Sequence, residues 1–342
     1  MEYSIWDKSF SAWIIAARSE QVTVKKIYKR KIMKTDVVVF RDKSGNVAIL
    51  KDQCPHKGLP LSQGNMQNGS LVCGYHGWTF DTTGSCIDAP CLGSKETCPT
   101  AKVDSFPVKE QDGWIWMFWG DDPEVLAEGP ISFPKEKKFR WFELEKQIKA
   151  QPHFILENSF DCTHACFVHN TFFRNGPVQT ANAELEETDY GMRVETREDD
   201  GRKVRITKYL PWEGKEVFHT DEYFKPFTAY VNYHFGMGKH RIILTCSPED
   251  ENTTRVYTRT GVQAGIFSGI AASILRVLTP VIIAEDVAAI EGQAKAYRNF
   301  GGRYGDLRDA DVPAIWMFSI YRSFFENRIP ELKRTRKISY KL

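Results

Sequence analysis

The 342-residue sequence has almost no charge imbalance: 46 Lys and Arg stand against 44 Asp and Glu, a formal net charge of +2. That excludes a protein built as a nucleic-acid polycation. With 26% charged and 42% hydrophobic residues, it also excludes a chain kept disordered by self-repulsion. Eight cysteines are too sparse for a disulfide scaffold at this length. Neither GxGxxG nor GxxxxGK followed by Ser or Thr occurs, so no nicotinamide or flavin dinucleotide is expected on the chain itself. There is no internal repeat and no low-complexity segment. Residues 1–7 lack a basic start followed by an apolar run, so no signal peptide is expected and the expected compartment is the cytoplasm.

One long apolar run is present, residues 264–284, long enough to span a bilayer. Arg276, Pro280 and two serines interrupt it, and Glu285-Asp286 follow at once. A helix buried in the fold or at a subunit interface is therefore expected rather than a membrane span.

The chain changes character along its length. Between about 10 and 120, short β-branched or aromatic runs (13–17, 36–41, 47–50, 71–73, 78–81, 113–119) alternate with Gly, Asp, Asn and Pro, which reads as a small all-β domain. A Pro- and charge-rich passage, 121–138, reads as a linker. Residues 151–169 look helical. Strand-like runs follow at 192–197, 203–209, 227–235, 241–245 and 255–262, then a long helix over about 265–300 containing Pro280. Strands in sequence with helices at both ends predict an α+β domain, an antiparallel sheet on a long helix. The expected division is 8–122, a linker at 123–140, and 141–342.

Two constellations carry chemistry. The first is Cys54-Pro55-His56-Lys57-Gly58 followed by Cys73-Gly74-Tyr75-His76-Gly77-Trp78. Each short loop offers one thiolate and one imidazole. A tetrahedral Cys2His2 zinc site uses the same ligand types. A Rieske 2Fe–2S centre puts two Cys on one iron and two His on the other. Zinc fingers usually pair Cys with Cys and His with His; here each loop holds one of each. The second is Asp161-x2-His164-x4-His169, preceded by Asn158. Asp161 and His164 fall on one helical face, with Asp161 suited to accept the second imidazole N–H of His164. His164 and His169 point apart in a regular helix, so they converge only if the helix ends or bulges. Two imidazoles plus a carboxylate from elsewhere make the facial set of non-haem Fe(II) oxygenases. Glu285, Asp286 and Glu291 are the candidates.

At these residues the chain resembles the oxygenase component of the Rieske non-haem iron oxygenases. The resemblance implies an N-terminal Rieske domain and a helix-grip, START-like catalytic domain. It implies a 2Fe–2S cluster on Cys54, His56, Cys73 and His76, with Trp78 as the aromatic after the second loop. It implies a mononuclear Fe(II) on His164, His169 and, as the second acid of the pair, Asp286. It also implies a separate NAD(P)H-dependent reductase or ferredoxin, O2, and a small organic substrate that is hydroxylated or oxidatively dealkylated. The family assembles as a head-to-tail homotrimer, in which Asp161 would link His164 to His76 or His56 of the neighbouring chain. Neither nucleic acid nor membrane is an expected partner. "ENSFDCTH" (157–164) looks most like the short single-chain monooxygenases and demethylases. Two other readings use the same residues: a Rieske electron carrier with a ligand-binding domain and no second iron, or a zinc-stapled binding protein.

Other features are given no chemical role. Cys86, Cys91 and Cys98 read as free thiols or a loop disulfide. Cys162 and Cys166 read as packing beside the iron ligands. His153, His219, His234 and His240 lack motif spacing; His234, on an aromatic strand, is the one expected to approach the pocket. The basic runs at 25–34 and 333–337 read as solvated faces.

Overall fold

A computed structural model describes the chain except residues 1–2, 94–98, 135, 170–179, 199–216, 236–237, 303, 329–332 and 342. It divides into two compact units, Ser9–Pro134 and a second made of Met1–Lys8 with Lys135–Leu342. The expected strand at 203–209, and Cys98, lie outside the described residues.

The first unit is all β. Strands β1 (Ala12–Arg18), β2 (Tyr28–Ile32), β3 (Thr35–Arg41), β4 (Val47–Lys51), β5 (Asn65–Gln67), β6 (Ser70–Val72), β7 (Thr79–Phe80), β8 (Cys86–Asp88), β9 (Ser105–Phe106), β10 (Val108–Gln111) and β11 (Trp114–Trp119) form three antiparallel sheets. Their orders are β1-β11-β10, β2-β3-β4-β9 and β5-β6-β7-β8. β11 (WIWMFW) is paired on both edges and buried at five of its six residues, so a continuous apolar run suits it. β2 is the basic segment YKRKI, read above only as a solvated face. It is solvated on one face, yet it pairs along its length with β3. Residues 123–140, expected as linker, contain a helix, α1 (Pro123–Glu128), whose first turn is capped by the Asp122 carboxylate. The core between the second and third sheets joins Val38, Phe40, Leu50, Leu61, Leu71 and Phe80 with Cys54, Cys73 and Trp78. The cysteine loops are thus set into the hydrophobic core that shapes them.

The second unit is an eight-stranded antiparallel sheet against helices. Its strands are β12 (Arg140–Ile148), β13 (Thr180–Thr188), β14 (Gly191–Glu198), β15 (Val217–Phe224), β16 (Thr228–Phe235), β17 (Gly238–Asp250), β18 (Thr253–Gln263) and β19 (Thr335–Lys341), ordered β12-β18-β17-β16-β15-β14-β13-β19. β13 alternates strictly between exposed and buried residues, the period-2 signature of a sheet solvated on one face. Helix α2 (Pro152–Phe160) starts on a proline and is buried almost throughout. Helix α3 (Ser268–Asn299) packs on β12 and β18, and α4 (Val312–Phe325) packs on α2.

Of the two places expected for it, in the fold or at a subunit interface, the apolar first half of α3 does not take the first. Ser268, Thr279, Ile290 and Ala294 are its buried residues, while Ile270 is 64% and Val277 72% exposed. By length and composition this helix is apolar enough to cross a membrane. Its apolar face is not buried within its own chain.

Candidate functional site

The two cysteine loops of the first unit are built alike. Each cysteine carbonyl accepts a backbone hydrogen bond from the glycine four residues on: Gly58 to Cys54 at 2.9 Å, Gly77 to Cys73 at 3.1 Å. Each cysteine N–H is also held, by the carbonyls of Leu59 at 2.9 Å and Trp78 at 2.8 Å. Gly58 and Gly77 have φ of 77° and 69°, the left-handed region in which a side chain is strained. The thiols lie inside, with Cys54 and Cys73 at 2% and 3% exposure. The imidazoles lie toward the surface, with ring centroids 4.6 Å apart, and Trp78 stacks on His56 at 4.5 Å with planes 5° apart. Burial pushes the Cys54 thiol pKa up, which favours its protonated form in the absence of a metal. Two sulfurs within and two imidazoles without match the donor set of a Rieske cluster.

In the second unit α2 ends at Phe160, and Asp161 already has extended backbone, φ −91° and ψ 90°. The chain then makes a short 3-10 turn, His164–Cys166. The helix expected over 151–169 therefore stops nine residues early, and Asp161 and His164 do not share a helical face. The stop is encoded locally. The Asp161 carboxylate accepts from the Thr163 N–H at 2.9 Å, the Thr163 hydroxyl at 2.6 Å and the His164 N–H at 3.3 Å. That local cap competes with another helical turn. Because the helix ends, His164 and His169 converge.

They converge on one oxygen carried by α3. His164 Nε2 lies 3.3 Å and His169 Nε2 2.9 Å from Asp286 Oδ1. The three donor atoms are within 4.8 Å of one another, and the two rings are 5.4 Å apart at 76°. Both Nδ1 atoms are held from behind, that of His164 by the Asp161 backbone carbonyl and that of His169 by Glu285 Oε2 at 2.8 Å. This is the outer support that fixes tautomer and ring orientation in metal-binding histidines. Asp286 Oδ1 is buried, and the two imidazole nitrogens are its near neighbours. Burial opposes charge here, yet Asp286 outweighs it and raises both imidazole pKa values, and the imidazoles lower that of Asp286. The set fits one divalent iron with open positions.

Comparison with known proteins matches both parts of the chain. Residues 12–107 match the Rieske 2Fe–2S domain, and residues 148–314 match the vanillate O-demethylase oxygenase C-terminal domain. The chain belongs to the Rieske non-haem iron oxygenases. It is 30% identical over 254 residues to a 4beta-methylsterol monooxygenase of Methylococcus capsulatus, covering 72% of this chain and 66% of that protein. It is 35% identical over 162 residues to the oxygenase component of dicamba O-demethylase from Stenotrophomonas maltophilia, covering 46% of this chain and 47% of that protein. These matches span two-thirds of the curated relative's length or less. The structure of dicamba monooxygenase bound to 3,6-dichlorosalicylic acid superposes with a TM-score of 0.80 at 24% identity, covering 92% of this chain and 97% of that one. The fold is shared: a Rieske all-β domain followed by a sheet-rich domain with a long helix. The matched N-terminal domain is a Rieske 2Fe–2S domain, and His164, His169 and Asp286 form a group that could hold a metal ion.

Several residues of this Rieske oxygenase take places that sequence reasoning did not give them. The acceptor for the His164 imidazole is the Asp161 carbonyl, not its carboxylate. Asn158 lies in the last turn of α2, where its carbonyl accepts the Asp161 N–H at 3.4 Å. Glu285 supports His169, and Glu291 accepts the Lys149 N–H at 2.9 Å. His234 stacks on Phe218 at 4.3 Å, on the sheet face opposite His219 and Tyr233. Asp221 was missed altogether: it holds His219 Nδ1 at 2.9 Å. Their spacing, His-x-Asp on one strand face, was the available signal. Cys86 donates to the Asp88 carbonyl and Cys91 to the His76 carbonyl, each at 3.4 Å.

Proposed function

We propose that this protein is the terminal oxygenase of a multicomponent system that hydroxylates or oxidatively dealkylates a small organic substrate. The observation that carries the reading is the convergence of His164, His169 and Asp286 in a chain that also holds the paired cysteine-histidine loops. An electron carrier needs only the loops. When bound, the two cofactors supply electron transfer and O2 activation.

The chain's residues do the rest. Cys54, Cys73, His56 and His76 would hold the cluster, and the imidazoles at the outer edge would offer the route by which a separate reductase or ferredoxin reaches it. His164, His169 and Asp286 would hold the iron, which when bound would supply O2 activation. Asp161 and Glu285 keep the imidazoles aimed. The overall change is balanced by one O2, two electrons and two protons: one oxygen enters the substrate and the other leaves as water. A methyl ether or N-methyl group hydroxylated in this way loses formaldehyde.

The proposal extends to a cytoplasmic homotrimer. The neighbouring chain would cover the exposed apolar residues of α3, and Asp161 would join His164 to His76 or His56 across the interface. Support comes from α3 itself: Ile270, Val277 and Val281 are exposed on the helix that also carries Asp286. The test of function is a substrate screen under 18O2 with a surrogate reductase, read by mass spectrometry. Incorporated label or a lost methyl group, abolished in Asp286→Ala, is the expected result. Electron uptake without any oxygenated product across neutral and acidic aromatic and polycyclic compounds would favour the electron carrier.

A further inference from the structure

Cys162, His219 and Asp221 form a second group of metal-capable side chains, different in every member from the one at Asp286. Cys162 lies just past the end of α2. His219 and Asp221 are two apart on β15 and so share a face of the sheet. Their donor atoms lie within 4.8 Å of one another. His219 Nδ1 is 2.9 Å from Asp221 Oδ2, and Cys162 Sγ is 4.0 Å from the same oxygen. Around a tetrahedral ion bonded at about 2.3 Å to sulfur and about 2.0 Å to nitrogen and oxygen, such edges measure roughly 3.3–3.5 Å. Each therefore needs to change by about half an ångström or less.

The surroundings point the same way. The Asp221 side chain is 2% exposed, and its other oxygen, Oδ1, has no hydrogen-bond partner among the described residues. A buried carboxylate oxygen left unmet is costly, and buried charges are normally paired or bound to metal.

We propose that Cys162, His219 and Asp221 bind a divalent cation of the zinc class. One sulfur, one nitrogen and one oxygen donor make a borderline set that suits zinc or cobalt better than magnesium or calcium. The ion would tie residue 162 to β15. It therefore acts as a clip on the non-helical segment 161–169, which carries both His164 and His169. The competing account is a bare His219–Asp221 ion pair, which needs neither the thiol nor a cation.

Zinc K-edge X-ray absorption of the holoenzyme, after zinc loading and desalting, separates these accounts, because the cluster holds no zinc and the Asp286 centre offers no sulfur. The expected spectrum has a sulfur shell at about 2.3 Å. It persists in a His164→Ala/His169→Ala double variant and vanishes in Cys162→Ser. Zinc affinity should fall at least about 100-fold in Cys162→Ser and in Asp221→Asn, since even outer-shell changes cost about 10–100-fold. Zinc should also raise the wild-type Tm but not that of either variant. No sulfur shell in the wild type, or one that survives Cys162→Ser, overturns the proposal. If one variant fails to fold, the other decides.

Discussion

At the scale of single residues, each imidazole that faces Asp286 is aimed by an acceptor on its far nitrogen. Glu285 is the clearest case, because its carboxylate meets His169 Nδ1 at 2.8 Å. Glu285→Ala should leave the three facing donors in place but free the His169 ring to rotate. Mononuclear iron affinity should then drop about 10–100-fold, seen as earlier iron loss to a graded chelator while the visible cluster spectrum is unchanged. Loss of iron in Glu285→Ala together with full retention in Asp286→Ala would move the third ligand by one residue. The sequence was legible where ligand types recur at motif spacing: Cys54, His56, Cys73, His76, His164 and His169. It was not legible for supports made by backbone, since a carbonyl such as that of Asp161 has no residue signature. Asp221 did carry a signal, its His-x-Asp spacing from His219, but Cys162, which the fold brings beside them, lies 59 positions away.

At the scale of elements, the decisive event is the end of α2. The expected helix over 151–169 followed propensity. The Asp161 side chain overrides it by bonding Thr163 and His164 locally, and that break brings the two imidazoles together. α2 itself is held by burial. His153, on α2, is packed against Phe318 and Tyr321 of α4, with ring centroids 5.0 Å and 6.1 Å away. Burial drives its pKa from the ordinary 6.5 down to about 3. The folded state therefore keeps His153 neutral in a range where the unfolded chain takes a proton. The unfolded state binds more protons between those values, so stability falls as pH drops from about 6.5 toward 3, by up to about 1.4 kcal/mol per pH unit for this one site. His153→Phe should flatten that slope in denaturant titrations from pH 7 to 5. An unchanged slope would show that His153 titrates normally. The strands read in place are those whose β-branched or aromatic runs stand out from their surroundings, as at 13–17, 36–41 and 113–119. β2, β13 and β19 were passed over because charged residues fill their solvent faces.

At the scale of the whole molecule, the two candidate metal centres are built from separate stretches of chain, each set by its own core. A ring of three chains would let the cluster of one protomer serve the iron of the next. Co-expression of two inactive variants, Cys54→Ser and His164→Ala, tests this. Mixed rings would pair an intact cluster with an intact iron site, so activity should return in part. A monomer by light scattering, or verified mixed rings without activity, would place electron transfer within one chain. The account as a whole stands on there being two independent iron centres. Its most direct test is iron quantitation on anaerobically purified protein, wild type beside Asp286→Ala, with the reduced cluster followed by electron paramagnetic resonance. We expect about three irons per chain in the wild type, two in the cluster and one on the facial set, and about two in the variant with an undiminished Rieske signal. Two irons per chain in both proteins, with that signal at full strength, would contradict the account and leave an electron carrier.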